Sequence, residues 1–597
     1  MSRINRNTFL KRSLFAGGSL LLAPLSNNLL FAESHVLAGH YSSSDLMTLL
    51  VKGNDAHVSD LLLRGDAANR HGGRSLGYNF AKFSAAYCHP SSSYYANEAL
   101  LVKLGEITDK LLSLLRPDGT VNAGNLESPP DTAFIMEPLC SGVYILSQND
   151  QKDLDKIKEA IKGFIQKVGN ALTTGGVHTP NHRWEICSAL AWINKLYPDA
   201  KYVNRIDEWL SEGIFIDEDG HYPERSMNYA DVENRAFITI GRLLNRPKLY
   251  NPVMKALEMT YYYMEPNGDL VTFDSRRQDQ YSTRNIIVQY LHYRYLAIEL
   301  RHAEFSAIAS LIEKQPEFES DIINEALYCF MANPVLGSPL PAPQYPSTDY
   351  ERLFKTSSLA RIRRNETTVT LFGGNDWPLI IASGRSVSPN FFAYRKGKAI
   401  LKYMRMSSRF FSMGYFRSEG LSHKNGKYLL YKKLEAPYYQ PLPKKHRNKD
   451  GDYELTPSTD DRFWSKMSFD KRPVSNVKTL ESQVTVTEDQ GKVTLDFEIS
   501  GQEGVAVTIH LCFSESGVLK GVEKAPGNEK DYFLKEGFGE FICEGDKITF
   551  GPGIKRHDTI RGLEGEKYSV HFGSLNTPGQ HVYLTGYTPF KYSLMFS

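Results

Sequence analysis

The sequence predicts an α+β multidomain protein: an N-terminal (α/α) toroid, incomplete or a six-hairpin barrel, followed by a C-terminal antiparallel β-sandwich. Three observations predict it. Apolar residues recur with a helical period from about residue 45 to 315. A proline-rich connector, VLGSPLPAPQYPSTDY, follows. Beyond it the apolar period falls to two. The 597 residues exceed one ordinary core and fit two or three domains. The layout expected is a signal peptide at 1–35, a toroid at 36–315, a linker at 316–360 and a sandwich at 361–597.

The helices come first. Leu100, Leu104, Ile107, Leu111 and Leu115 form one stripe. Leu154, Ile157, Ile161, Phe164 and Val168 form another. Further helices are expected near 184–196, 202–212, 227–245, 247–264 and 283–313. Asp131, in SPPDTAF, reads as the N-cap of a helix running through TAFIMEPL. Turns at Asp118-Gly119, Asp219-Gly220 and Asn267-Gly268 each follow a helix and precede a short extended segment. Helical hairpins ending in polar loops suggest a ring of helix pairs, with the loops gathered on one face. The competing reading is an irregular helical domain.

In the strand-rich half, Val493, Leu495, Phe497 and Ile499 alternate with polar residues. Val505, Val507, Ile509, Leu511 and Phe513 form a second alternating run.

Arg3, Arg6, Lys11 and Arg12 precede an apolar SLFAGGSLLLAPL and a small-residue FAES. This reads as an export signal cleaved near Ala32, giving a soluble, exported, periplasmic protein. No later apolar run reaches the ~20 residues of a membrane span. A net charge of +2, from 70 basic and 68 acidic residues, offers no global field for nucleic acid. Any anionic partner must therefore meet a local cluster. The six cysteines are scattered without a CxxC pair, which reads as buried thiols. No phosphate loop, dinucleotide fingerprint or HExxH occurs. No cofactor or metal is called for, and a structural divalent metal stays open, as does oligomeric state.

Polar groups concentrate in three helical-half segments. The first is Asn181-His182-Arg183 with Glu185, just after Pro180. The second, DGHYPERSMNYADVENR, holds His221, Tyr222, Glu224, Arg225, Tyr229 and Arg235. The third, TFDSRRQDQYSTRN, holds Arg276, Arg277, Tyr281 and Arg284. Arginine forks suit a carboxylate. Neutralising a uronate carboxylate acidifies the neighbouring C5–H, and a tyrosine can then remove that proton. Blander readings stand beside this one. His182 can simply cap or pack a helix start, a tyrosine after a turn is commonly a core or lid residue, and Arg276-Arg277 can be a solvated face. Arg183 reaches substrate or pairs with a carboxylate such as Glu185.

With these residues in view, the chain resembles the two-domain polysaccharide lyases of the heparinase and alginate lyase type. Asn181-His182 in PNHRWE matches their Asn-His pair at a toroid helix start, and DGHYPERSMNY matches their segment carrying the base. The resemblance implies that Asn181 and His182 neutralise the substrate carboxylate and Tyr229 is the catalytic base. The three polar segments themselves offer Arg183, Glu185, Tyr222, Arg225, Arg235, Arg276, Arg277 and Tyr281 as candidate substrate-binding residues. Glu224 is followed by Arg225, where that family usually has glycine. For the sandwich residue of such sites, Arg405, Tyr415 and His423 are candidates. NLESPPDTAF and TPNHRWEICSALAW are most similar to polysaccharide lyase family 27, the L-rhamnose-α-1,4-D-glucuronate lyases. That implies removal of rhamnose caps from arabinogalactan, an acidic plant-type glycan.

Two other functions compete. A glycoside hydrolase would use a carboxylate pair, drawn from Glu185, Glu224, Asp217 and Asp219. A non-catalytic glycan-binding protein would use aromatics such as Tyr394, Tyr403, Phe410 and Tyr415.

Overall fold

The computed structural model describes residues 41–65, 72–122, 126–277, 279, 282–374, 388–458, 464–526, 529–560 and 578–597. The export signal expected at residues 1–35 lies outside the described residues, as does Tyr281. The chain divides into two units. The first takes in the chain up to Ile216, Asn228–Tyr261 and Asn285–Pro346. The second takes in Asp217–Met227, Tyr262–Arg284 and Ser347–Ser597. Two of the three polar segments therefore belong mainly with the strands.

The helices of the first unit are α1 (Ser43–Arg64), α2 (Gly73–Cys88), α3 (Glu98–Leu114), α4 (Pro129–Ser147), α5 (Asp155–Thr174) and α6 (Pro180–Leu196). They continue with α7 (Ala200–Ser211), α8 (Met227–Leu243), α9 (Tyr250–Tyr263), α10 (Tyr290–Glu299), α11 (Ala303–Ile312) and α12 (Leu327–Ala332), with Met227 of α8 and the last two residues of α9 falling in the second unit. Six of them form two rows. Helices α2, α4 and α6 pack on one another in turn, while α3, α5 and α7 form a second row outside them. The burial patterns explain the division. Helix α4 is buried almost all round, from Pro130 to Leu146, as an inner helix must be. Helix α7 buries only Tyr202 and Ile206.

The expected stripes are buried at Leu100, Leu104, Ile107 and Leu111 of α3, and along α5 at Ile157, Ile161, Phe164 and Val168. Gly119, Gly220 and Gly268 all adopt the positive φ their turns require. Two expectations need correction. Asp131 is not the N-cap of α4. Ser128 is, and its Oγ accepts from the Asp131 N–H at 3.4 Å. Two prolines in the first turn leave Asp131 inside the helix, where it pairs with Arg74. The single helix expected over 283–313 is two helices, because Arg301 turns left-handed at φ 53° and His302 caps α11.

The second unit contains two large sheets. One has nine strands, in the spatial order Glu523–Lys524, Asp531–Phe533, Gln580–Tyr587, Ala506–Phe513, Ala399–Ser408, Phe392–Lys396, Thr367–Phe372, Leu359–Arg364 and Asp349–Phe354. Its pairs are antiparallel except Asp531–Phe533 with Gln580–Tyr587. The other has eight, with Lys492–Gly501, Val474–Asp489 and Lys427–Tyr439 adjacent near one edge. The sheets share one core. Phe392 and Tyr394 meet Phe596 across it, and Phe513 meets Phe541 and Phe550. The strand Asp349–Phe354 begins before residue 361. Tyr394, Tyr403, Phe410 and Tyr415 are buried, so these four rings are not the exposed sugar-stacking surface that the glycan-binding reading requires.

Candidate active site

Helices α2, α4, α6 and α8 run parallel. Between α2 and α4, Arg74 meets Asp131 and Gly77 lies against Ile135. Further along, Gly142 lies against Ala81. Between α4 and α6, Phe134 lies edge-on to His182, Glu137 meets Ser188 and Tyr144 packs on Trp192. Between α6 and α8, Glu185 meets Arg235, and the Arg242 guanidinium sits 5.2 Å over Trp192. Contacts that climb both partners together require helices pointing the same way. All four N-termini therefore lie at one end, with Arg74, Asp131, Asn181, His182 and Tyr229 in their first turns. Aligned helix dipoles make that end favourable for an anion.

The offset of 50 residues in the last two contacts sets the level of Tyr229. Asn181 falls opposite Asp231, so Tyr229 lies about 3 Å along the axis from Asn181, at 1.5 Å per residue.

Successive helix residues turn by about 100°, so Asn181, His182 and Arg183 cannot share a face. Asn181 and His182 are buried. Arg183 turns away, pairs with Glu212 at 2.8 Å and stacks over Trp184. Its carboxylate is thus Glu212 and not Glu185. Pro180 occupies the first turn of α6, where its missing N–H costs nothing. His178, just before the helix, meets the His182 ring edge-on at 4.7 Å.

Glu185 is one turn deeper and buried. Its Oε2 accepts from Arg235 Nη2 at 2.8 Å, and Oε1 has no hydrogen-bond partner among the described residues. Burial pushes this carboxyl above its ordinary range, and Arg235 pulls it back in part. Arg235 Nε also faces Glu137 at 3.1 Å. Glu137 in turn accepts from Thr239 and Ser188. Burial opposes the Arg235 charge, but the two carboxylates outweigh it and hold the guanidinium protonated. Tyr78 of α2 lies within reach of the same charges. Burial pushes its phenol up against the pull of Arg235.

In the second unit, Asp217 Oδ1 accepts from the N–H groups of Asp219, Gly220 and His221. His221 Nε2 lies 2.9 Å from the Tyr263 hydroxyl, which donates to Asp274 at 2.8 Å. Tyr222 is buried. Arg277 pairs with Glu224, and Arg276 donates to the Pro223 carbonyl. Arg225, at the position where glycine was expected, holds φ 48° and donates to the Thr356 carbonyl. Arg405 is buried against Tyr403 and donates to Asn390, while His423 stacks on Tyr428 and faces Glu351.

Sequence reasoning passed over Arg74, Tyr78, Phe134, Glu137 and His178. The signal that would have found them is the parallel packing of inner helices, which brings residues about fifty apart to one level. Among the described residues, no group of three or more His, Cys, Asp or Glu is placed to hold a metal ion, and no helix is long and apolar enough to cross a membrane. All six cysteines are free thiols.

No family model matches the chain, and no curated protein matches it. Solved structures do. The Streptomyces coelicolor A3 chondroitin AC lyase in complex with chondroitin sulphate is 12% identical, with a TM-score of 0.55 over 99% of this chain and 82% of that one. Heparinase III is 13% identical, with a TM-score of 0.53 over 88% and 76%. A Paenibacillus xanthan lyase is 11% identical, with a TM-score of 0.54 over 93% of this chain, which spans 57% of that enzyme. At such identities the likeness is one of fold, and it extends along nearly the whole chain.

Proposed function

We propose that this protein is a polysaccharide lyase that cleaves a 4-linked glucuronate by β-elimination. On this reading the helical unit is an incomplete (α/α) toroid. The observation that carries it is the parallel register of α6 and α8, which sets Asn181, His182 and Tyr229 in first turns at one end. Asn181 and His182 neutralise the uronate carboxylate. Tyr229 removes the C5 proton, the C4–C5 double bond forms and the C4–O bond breaks. In a glucuronate, H5 and the C4 oxygen share a ring face, so Tyr229 then returns the proton to the leaving oxygen. The Glu185–Arg235–Glu137 group holds the helices in register. Arg225, Arg276 and Arg277 shape the loops 217–227 and 262–284. The fold shared with lyases of acidic polysaccharides supports the reaction class. The resemblance of NLESPPDTAF and TPNHRWEICSALAW supports the finer substrate, rhamnose-α-1,4-glucuronate caps of arabinogalactan. The basic, apolar and small-residue order of the N-terminus supports export to the periplasm.

Incubation with rhamnose-capped arabinogalactan, heparin, alginate and chondroitin tests the proposal. An enoate product absorbs near ~230 nm, as elimination requires. Fragments carrying an added water would instead mark a hydrolase, and no product from any glycan would end the lyase reading.

A further inference from the structure

Large apolar side chains gather on the surface at one end of the eight-stranded sheet. Trp464 is 65% exposed, Tyr438 46% and Phe411 43%. Tyr438 lies at the end of the strand Lys427–Tyr439, opposite Asn476. The excursion 440–473 leaves from that strand end and returns to its partner. It is tied off by the Gln440 N–H to the Pro473 carbonyl at 2.7 Å. Within it, Trp464–Ser465 pairs with Thr456–Pro457, and Phe469 packs on Tyr439 at 4.9 Å. The hairpin carrying Trp464 is thus anchored to the strand end that carries Tyr438. Phe411 meets Tyr438 edge-on at 6.3 Å.

Phe411 and Ser412 both hold positive φ, at 50° and 53°. A bulky aromatic rarely takes that conformation, and strain of this kind marks sites where it serves a purpose. Here it turns Phe411 outward while its neighbour Phe410 enters the core.

The same excursion carries the run PKKHRNK. Lys444, Lys445 and Lys449 are exposed, and none makes an ion pair among the described residues. Two nearby acids are already engaged, Asp452 on Lys466 and Glu454 on Lys471, while Asp450 stands exposed beside Lys449. Arg447 donates back to the Leu442 carbonyl and fixes the turn. Within residues 444–450, Lys444, Lys445, Arg447 and Lys449 stand against the single acid Asp450. Exposed rings, with exposed cations on the same excursion as Trp464, match an acidic sugar chain, whose C–H faces stack on aromatics and whose carboxylates or sulfates meet ammonium groups.

We propose that the surface formed by Phe411, Tyr438 and Trp464 with Lys444, Lys445 and Lys449 is a second, non-catalytic binding site for an acidic polysaccharide strand. Its choice of ligand class rests on the proposed function; its existence does not. The site would keep a polymer attached between turnovers.

The test uses the full chain carrying Tyr229→Phe, so that substrate persists, in affinity electrophoresis through gels containing heparin or alginate. Trp464→Ala should weaken retardation about fivefold. The triple variant Lys444→Ala/Lys445→Ala/Lys449→Ala should weaken it about tenfold, and more steeply at low salt. Poly-glutamate should retard the protein less than either glycan and be indifferent to Trp464→Ala. Unchanged retardation in both variants would overturn the proposal. So would poly-glutamate binding as strong as glycan binding, or preferential capture by phosphatidylglycerol vesicles, which would make the surface a membrane contact. The two proposals fail separately. Product formation by the wild-type chain reads the lyase activity, while retardation reads the surface.

Discussion

Arg235 of α8 donates to Glu185 of α6 at 2.8 Å, and the same guanidinium faces Glu137 of α4 at 3.1 Å. One cation thereby ties three parallel helices whose first turns carry Asn181, His182 and Tyr229. On the proposed mechanism the spacing of those three groups depends on a pair that never touches substrate. Glu185→Gln should lower stability by about 2 kcal/mol, less than the ~3–5 of a fully broken buried pair because Glu137 stays with Arg235. Turnover should fall about tenfold with KM little changed. Thermal unfolding and steady-state kinetics check this, and a KM effect without a kcat effect would place Glu185 on the substrate instead.

Arg225 occupies a left-handed position next to Glu224. Any L-residue other than glycine is strained there, so Arg225→Gly should be more stable than Arg225→Ala by about 1 kcal/mol. Both variants lose the bond to the Thr356 carbonyl, which isolates the backbone effect. Chemical denaturation of the pair measures it. Equal stability would mean that the backbone relaxes without cost.

Glu265 sets an acid limit on the second unit. Burial raises its pKa, but Arg361 at 2.8 Å, Arg395 and Thr368 together outweigh that and hold the carboxyl below its ordinary range. A depressed folded-state pKa stabilises the fold above the unfolded value of ~4.3 and loses that contribution as pH falls through the folded value. Glu265→Gln leaves the buried Arg361 guanidinium without its carboxylate, while Arg395 keeps Asp269. It should cost about 3 kcal/mol at neutral pH and flatten the stability profile below about pH 4. Denaturation followed from pH 7 to pH 3 reads both effects.

Periodicity made the broad architecture legible. The stripes of α3 and α5 and the alternation around Phe497 follow directly from which residues must be buried. Ala506–Phe513 is buried on both faces as a central strand, so its alternation is weaker in the structure than in the sequence. The candidate site was legible only where its residues are neighbours in the chain. Asn181, His182 and Tyr229 stood out beside turns and a helix start. Glu137 and Arg74 did not, because a charged residue inside a helical pattern looks like a solvated one until the opposing helix is known. The partners of the arginines were hidden for the same reason. A guanidinium in a list of polar residues looks available, yet Arg183, Arg235 and Arg277 each answer a carboxylate of the protein itself. Phe410 and Phe411, adjacent and alike in sequence, part ways through a positive φ that no periodicity announces.

On the proposed mechanism everything turns on Tyr229 moving the C5 proton. The most direct measurement is the rate of ~230 nm product formation by Tyr229→Phe against wild type, on whichever glycan of the panel the wild type cleaves. A loss of about a thousandfold is expected with an unchanged unfolding temperature, since the phenol oxygen alone is removed. Near-normal turnover in that variant would contradict it and move the base to another residue.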